Sequence, residues 1–257
     1  MLRGMYSSIS AMINLQANQS VISNNMANIN TIGYKSETLV SKSFDEIVLS
    51  NKDRYINGEG KRQQIGSLNP GVKIDETVTN YSQGTIVDTE SDTDFAILGD
   101  GFFTVRDNDG NTAYTRDGVF KVDSKGYLVT SSGENVLGVN QITNRVEPIY
   151  VGNKKVSVDN NNNLLLDSKI SYKFSIVDFE NYDSLNKVGQ NLFTGENPIG
   201  TNNYKIQNRA KESSNVDMID VTSALMANLR AFEANQKVVQ IMDSTLSKIA
   251  NEIGAVR

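Results

Sequence analysis

Hydrophobic residues at the two ends of the chain recur with one period. Near the start, Met5, Met12 and Met26 form one row at heptad spacing, and Leu15, Ile22 and Ile29 form a second, with Ser8 and Gln19 as the interruptions. Near the end, Met218, Leu225, Phe232, Val239, Leu246 and Ile253 hold a row without a break. Val221, Met242, Ile249 and Val256 make the neighbouring row, interrupted by Asn228 and Asn235. A seam that repeats every 3.5 residues lets one α-helix lie along another. The spacing predicts a first helix over about residues 4–30 and a last helix from Ser214-Asn215-Val216-Asp217, capped there by Ser214, Asn215 or Asp217, as far as Glu252. Such a last helix is roughly 55 Å long at about 1.5 Å per residue. A polar residue in the seam costs stability and fixes register, which is one reading of Asn228 and Asn235. The other is that those positions face solvent.

The first helix closes at Asn28-Ile29-Asn30-Thr31-Ile32-Gly33. Asn24, Asn25, Asn28 and Asn30 crowd its end, where amides can bond exposed carbonyls and neighbouring chains or simply end the helix. Gly33 is expected in the left-handed conformation, so Val should be costly there and Asn much milder, and Tyr34 offers an apolar anchor. Phe44-Asp45-Glu46-Ile47-Val48-Leu49 reads as one or two helical turns, and the polar, Gly-punctuated stretch 51–71 as an exposed loop.

The centre has a different period. Short β-branched and aromatic runs at 84–87, 94–98, 102–105 and 127–130 are separated by turns such as Gly99-Asp100-Gly101, Asn108-Asp109-Gly110-Asn111, Asp117-Gly118 and Lys125-Gly126. Further strands are expected at 172–179 and 203–209, and a hairpin at 156–166 with its tip at Asn160–Asn163. The expected fold is α+β: long terminal helices paired as a coiled coil, with a mainly antiparallel β domain inserted. The expected domains are an N-terminal helix (1–35), an extended connecting segment (36–80), a β-rich domain (81–212) and a C-terminal helix (213–257).

Composition narrows the function. A formal net charge of −5 argues against nucleic acid as a partner, because phosphate binding needs a clustered basic surface. No apolar run approaches bilayer length, so no membrane insertion is expected, and the N-terminus lacks the apolar stretch of a secretory signal peptide. That leaves the cytoplasm or a dedicated secretion machine. Cysteine, histidine and tryptophan are absent, which removes disulfides, thiolate sites and the usual general base and metal ligand. Gly99-x-Gly101 lacks the third glycine of a dinucleotide fingerprint, and Asp107–Asn111 lacks the spacing of a calcium loop and reads as a tight turn. Asp88, Glu90, Asp92 and Asp94 alternate, so a strand would set them on one face as a solvated acidic edge. No catalytic residue, metal or cofactor is expected.

Three stretches resemble the bacterial flagellar axial proteins, those of the rod and hook. They are Asn24-Asn25-Met26-Ala27-Asn28-Ile29-Asn30-Thr31-Ile32-Gly33-Tyr34-Lys35; then 94–103 together with Tyr114-Thr115-Arg116-Asp117-Gly118-Val119-Phe120; then Ser213-Ser214-Asn215-Val216-Asp217 with Arg230-Ala231-Phe232-Glu233-Ala234-Asn235. By length the chain is most like the rod subunits, the distal-rod protein and its near paralogues among them. Members of the family often carry Gly and Leu where Arg209 and Lys211 stand here.

The resemblance implies a structural subunit, not an enzyme, that polymerises into a helical tube, transmits torque and surrounds the export channel. It implies passage through the flagellar type III export apparatus without a cleaved signal peptide. The partners implied are further copies of the chain, neighbouring rod and hook subunits, and that apparatus. The residues expected to serve assembly are Asn24, Asn25, Asn28, Asn30, Gly33, Tyr34, Asn215, Asp217, Leu225, Phe232, Asn235, Val239 and Leu246. The competing expectations are a hook-type subunit, for which the insert of about 180 residues is small, and a tethered β-domain adhesin.

Overall fold

The computed structural model describes residues 2–253 except 57, 58, 108, 109, 160, 168, 190 and 202. Asn108, Asp109, Asn160 and the last seam residue, Val256, lie outside the described residues. The chain divides into two compact units: residues 1–26, 37–79 and 218–257 form the first, and 27–36 with 80–217 the second.

The first unit contains both long helices. α1 spans Leu2–Ala27, and α2 spans Met218–Lys248 and runs into a π turn at Ile249–Ile253. The heptad rows are the shielded positions. On α2, Val221, Leu225, Asn228, Phe232, Asn235, Val239, Met242 and Leu246 are partly or fully shielded, and every other position but Ala231 is exposed. On α1, Met5, Met12, Leu15, Ile22 and Met26 are shielded as well. The row ends differ from expectation: Met218 and Ile249 are exposed.

The remainder of the first unit is all strand. β1 (Glu37–Ser43) pairs antiparallel with β4 (Val72–Thr79), and β2 (Ile47–Ile56) forms a hairpin with β3 (Glu59–Leu68). This overturns two expectations. The stretch 44–49 is not helical, because Ile47-Val48-Leu49 are paired with Leu68, Ser67 and Gly66. Stretch 51–71 is not a loop: residues 51–56 continue β2 and 59–68 form β3. Polar residues hid the strands: 51–64 shows no run of alternating apolar positions, the signal by which a half-buried strand is read.

The second unit is antiparallel β throughout. β5 (Ile86–Asp88) pairs with 210–212, and β6 (Phe95–Gly99) with 204–208. β7 (Phe102–Arg106) and β8 (Thr112–Thr115) form a hairpin at the centre of the largest sheet. Phe95, Phe103, Phe120 and Phe174 form the aromatic heart of the main core with Val105, Leu128, Val136 and Leu164. A smaller core gathers Phe102, Tyr114, Phe179 and Phe193. The hairpin expected at 156–166 is present, with Val156 opposite Leu166. The acidic alternation does not lie on one strand face, because β5 ends at Asp88; Asp94 is buried and Asp92 pairs with Arg209.

Candidate assembly surfaces

In the first unit, the residues expected to serve assembly divide by what they touch. Leu225, Phe232, Val239 and Leu246 lie on the shielded face of α2. Asn228, only 4% exposed, donates from Nδ2 to the Leu15 carbonyl at 2.9 Å and accepts from Asn18 Nδ2 at 3.3 Å. Asn235 turns back on its own helix and donates to the Ala231 carbonyl. The two seam asparagines therefore do different things. Asn24 is exposed, whereas Asn25 is buried and binds Glu37 at both ends, Nδ2 to the carbonyl at 2.7 Å and Oδ1 from the amide at 3.0 Å. That bond ties the last turn of α1 to the first residue of β1. A large part of the helix surface is apolar and uncovered: Tyr6, Ile13, Ile219, Met226 and Ile241 are exposed, Ile219 at 74% and Ile241 at 64%.

In the second unit, the three motif stretches converge on one carboxylate. Glu212 is wholly buried. Its Oε1 accepts from Lys35 Nζ at 2.6 Å and from the Gly84 amide at 2.9 Å, and its Oε2 faces Arg116 Nη1 at 3.4 Å. Lys35 also donates to the Ser82 carbonyl, and Arg116 to the Gly99 carbonyl while lying 5.2 Å from the Phe102 ring centre. Burial pushes the Lys35 ammonium below its usual pKa, and the charge and hydrogen bond of Glu212 oppose that shift. Two buried cations on one buried anion make the carboxylate indispensable, because either cation alone would lie desolvated and unpaired.

The chain around this cluster is fixed by backbone. The Gly33 amide donates to the Glu212 carbonyl at 2.8 Å, and Gly33 has the expected positive φ, +68°. The expectation that Asn would be tolerated there does not hold. A Cβ at residue 33 would stand 2.5 Å from the Asp117 nitrogen and 2.7 Å from the Arg116 carbonyl carbon, so any side chain collides with backbone. Tyr34 is buried, with Lys187 Nζ 4.3 Å from its ring centre. Asn28 accepts from the Thr31 hydroxyl, and Asn30 is exposed.

Asn215 does not sit at the helix start as a cap; α2 begins three residues later, at Met218. Instead Asn215 Oδ1 accepts from the Ser36 amide at 2.7 Å and Nδ2 donates to the Asn80 carbonyl at 2.8 Å, joining three segments. Asp217 is exposed. Arg209 has a positive φ of 57°, a conformation that glycine adopts more readily. Here Arg209 pairs with Asp92, Nε to Oδ1 at 2.7 Å, while Lys211 keeps strand pairing opposite Val87. Sequence reasoning overlooked Lys35, Arg116 and Glu212. No local signal in the sequence marks them, because they lie far apart along the chain.

Comparison with known proteins follows the same three stretches. Residues 5–35 match the family described as flagella basal body rod protein, 96–163 the flagellar hook protein FlgE/F/G D1 domain, and 207–252 the flagellar basal body rod FlgEFG protein C-terminal region. The chain is 33% identical to the flagellar basal-body rod protein FlgG of Bacillus subtilis, across 98% of this chain and 99% of that one. It is 32% identical to FlgG of Borreliella burgdorferi, again across 98% and 99%. It is 29% identical to the flagellar hook-basal body complex protein FlhO of Bacillus subtilis over the full length of both. Relatives of this similarity along nearly the whole chain, meeting it at the stretches that converge on Glu212, establish that the chain belongs to the flagellar rod and hook family of axial proteins, close to the distal-rod protein FlgG.

Proposed function

We infer that this chain is a structural subunit of the flagellar basal-body rod, in which α1 and α2 pack as a coiled-coil layer and the second unit forms an outer layer. The observation that carries the layered reading is the uncovered apolar surface of the helices, Ile219 and Ile241 above all. Large apolar side chains left uncovered on both helices point to an interaction face. At about 1.5 Å per residue, the 31 residues of α2 span roughly 46 Å, long enough to run past neighbouring subunits along a tube. The subunit polymerises with copies of itself and abuts neighbouring rod and hook subunits, transmitting torque and enclosing the export channel. It reaches that place through the flagellar type III apparatus. Among the described residues no helix is long and apolar enough to cross a membrane. Asn24, Asn30 and Asp217, exposed in the single chain, serve contacts between subunits, and Leu225, Phe232, Val239 and Leu246 hold the helical layer.

The test is Ile241→Asp. The side chain is exposed, so the chain should be made and folded normally. Cells carrying the substitution should be non-motile, with the subunit absent from purified basal bodies. Normal swimming with a normal subunit content would overturn the assignment of this face to assembly.

A further inference from the structure

Two contacts between α1 and α2 together define one alignment. Asn228 reaches Leu15 and Asn18, and the Met242 methyl lies so near Gly4 that a Cβ there would stand 2.8 Å from it. From Gly4 to Asn18, and from Met242 back to Asn228, is fourteen residues each, two heptads. The helices therefore run antiparallel and hold one register through both contacts. An apolar heptad face does not choose that register by itself. Sliding α2 by one heptad sets apolar residues against apolar residues again, so the seam needs something that breaks the degeneracy.

Asn228 has the required properties. It is buried, and its amide is used at both ends, with Nδ2 on the Leu15 carbonyl and Oδ1 on Asn18. A slip of one heptad in one direction sets Asn228 opposite Ala11, whose side chain has neither donor nor acceptor. A slip in the other direction sets it opposite Asn25, whose amide is already bound at both ends to Glu37. That second slip also brings Asn235 opposite Asn18, but Asn235 Nδ2 already donates to Ala231 of its own helix.

We propose that Asn228, acting through the side chain of Asn18, is the register-determining residue of the α1–α2 pair. It selects the one antiparallel alignment and rejects those shifted by a heptad. The proposal rests on the reading of the two helices as a packed layer in the assembled subunit.

The chain has no cysteine, so introduced pairs report without background. Three full-length chains are compared: Ala11→Cys with Asn235→Cys for the native register, and Ala11→Cys with Met242→Cys or Gly4→Cys with Asn235→Cys for the two one-heptad slips. Whole cells are treated with a short bifunctional thiol reagent, and assembled and unassembled chains are read separately. With Asn228 in place only the native pair should cross-link. With Asn228→Leu a pair shifted by one heptad should cross-link beside it, whether or not the chain still assembles. Failure of the native pair to cross-link with Asn228 present would sink the packed-layer reading and the proposal together. If that pair links but remains the sole product in Asn228→Leu, the layer stands and the register proposal falls. Loss of all cross-links in Asn228→Leu also overturns it, because Asn228 would then hold the helices together without choosing their alignment.

Discussion

Replacing Gly33 tests how the chain is held where the N-terminal motif meets the second unit. Two costs act there. A non-glycine residue at a φ of +68° loses about 1–2 kcal/mol of backbone energy, less for Asn than for Ala or Val. The second cost is steric and common to every side chain. A Cβ would lie 2.5 Å from the Asp117 nitrogen, 2.7 Å from the Arg116 carbonyl carbon and 2.9 Å from the Asp117 Cα. Since non-bonded carbon contacts settle at about 3.5–4 Å, the two segments must part by about 1 Å. Overpacking of that kind costs about 1–3 kcal/mol. The parting also strains the hydrogen bond from the Gly33 amide to Glu212, adding about 1 kcal/mol. Ala, Asn and Val should each destabilise the second unit by about 3–6 kcal/mol, with Asn only slightly the mildest. Urea unfolding of the full-length chain, followed by tyrosine fluorescence, measures this, and swimming in soft agar gives the cellular readout. If Gly33→Asn lies within about 0.5 kcal/mol of the parent while Gly33→Val is severe, only φ matters and the packing against Asp117 has been misread.

Three further outcomes follow from the same structure. Glu212→Gln leaves Lys35 and Arg116 buried without their anion and should cost about 3–5 kcal/mol in urea unfolding, part of which Lys35→Met should restore in the double variant; an unaltered unfolding midpoint would show the cluster to be incidental. Asp117 is pushed up to about 6 from 3.8, chiefly by burial, so folding favours its protonated form. Its contribution is complete below about pH 4 and lost as pH rises through about 6, so Asp117→Asn should be more stable than the parent at pH 7 by about 1–3 kcal/mol and equal to it near pH 4; parallel stability curves for the two chains would refute the shift. Leu225→Asp and Phe232→Asp place a carboxylate on the shielded face of α2 and should abolish motility while leaving the urea transition of the second unit unchanged; swimming cells would show that this face is not needed for assembly.

The helices were legible in the sequence because a heptad row is a local signal, and the positions it marks are the ones the structure shields, from Val221 to Leu246. The central strands were legible where one side of the strand is core, as in Phe95–Gly99 and Phe102–Arg106. The hairpin β2–β3 was not, because its polar sequence carries no apolar alternation from which a strand could be read. The Glu212 cluster was invisible for another reason. Lys35, Arg116 and Glu212 are brought together by contacts across 96 and 177 residues of chain, and no spacing rule reports such a meeting. Asn215 misled in the opposite way: a residue that suits a helix cap locally is claimed by Ser36 and Asn80 instead.

The most direct test of the account is the composition of basal bodies from which the hook has been dissociated. Cells carrying the full-length chain with a small epitope are compared with cells lacking its gene, and purified basal bodies are imaged by electron cryomicroscopy and probed for the epitope. The account predicts that the chain stays with the rod after the hook is removed and that rods from the deletion strain lack a segment. Complete rods in the deletion strain, or departure of the chain with the hook, would contradict it.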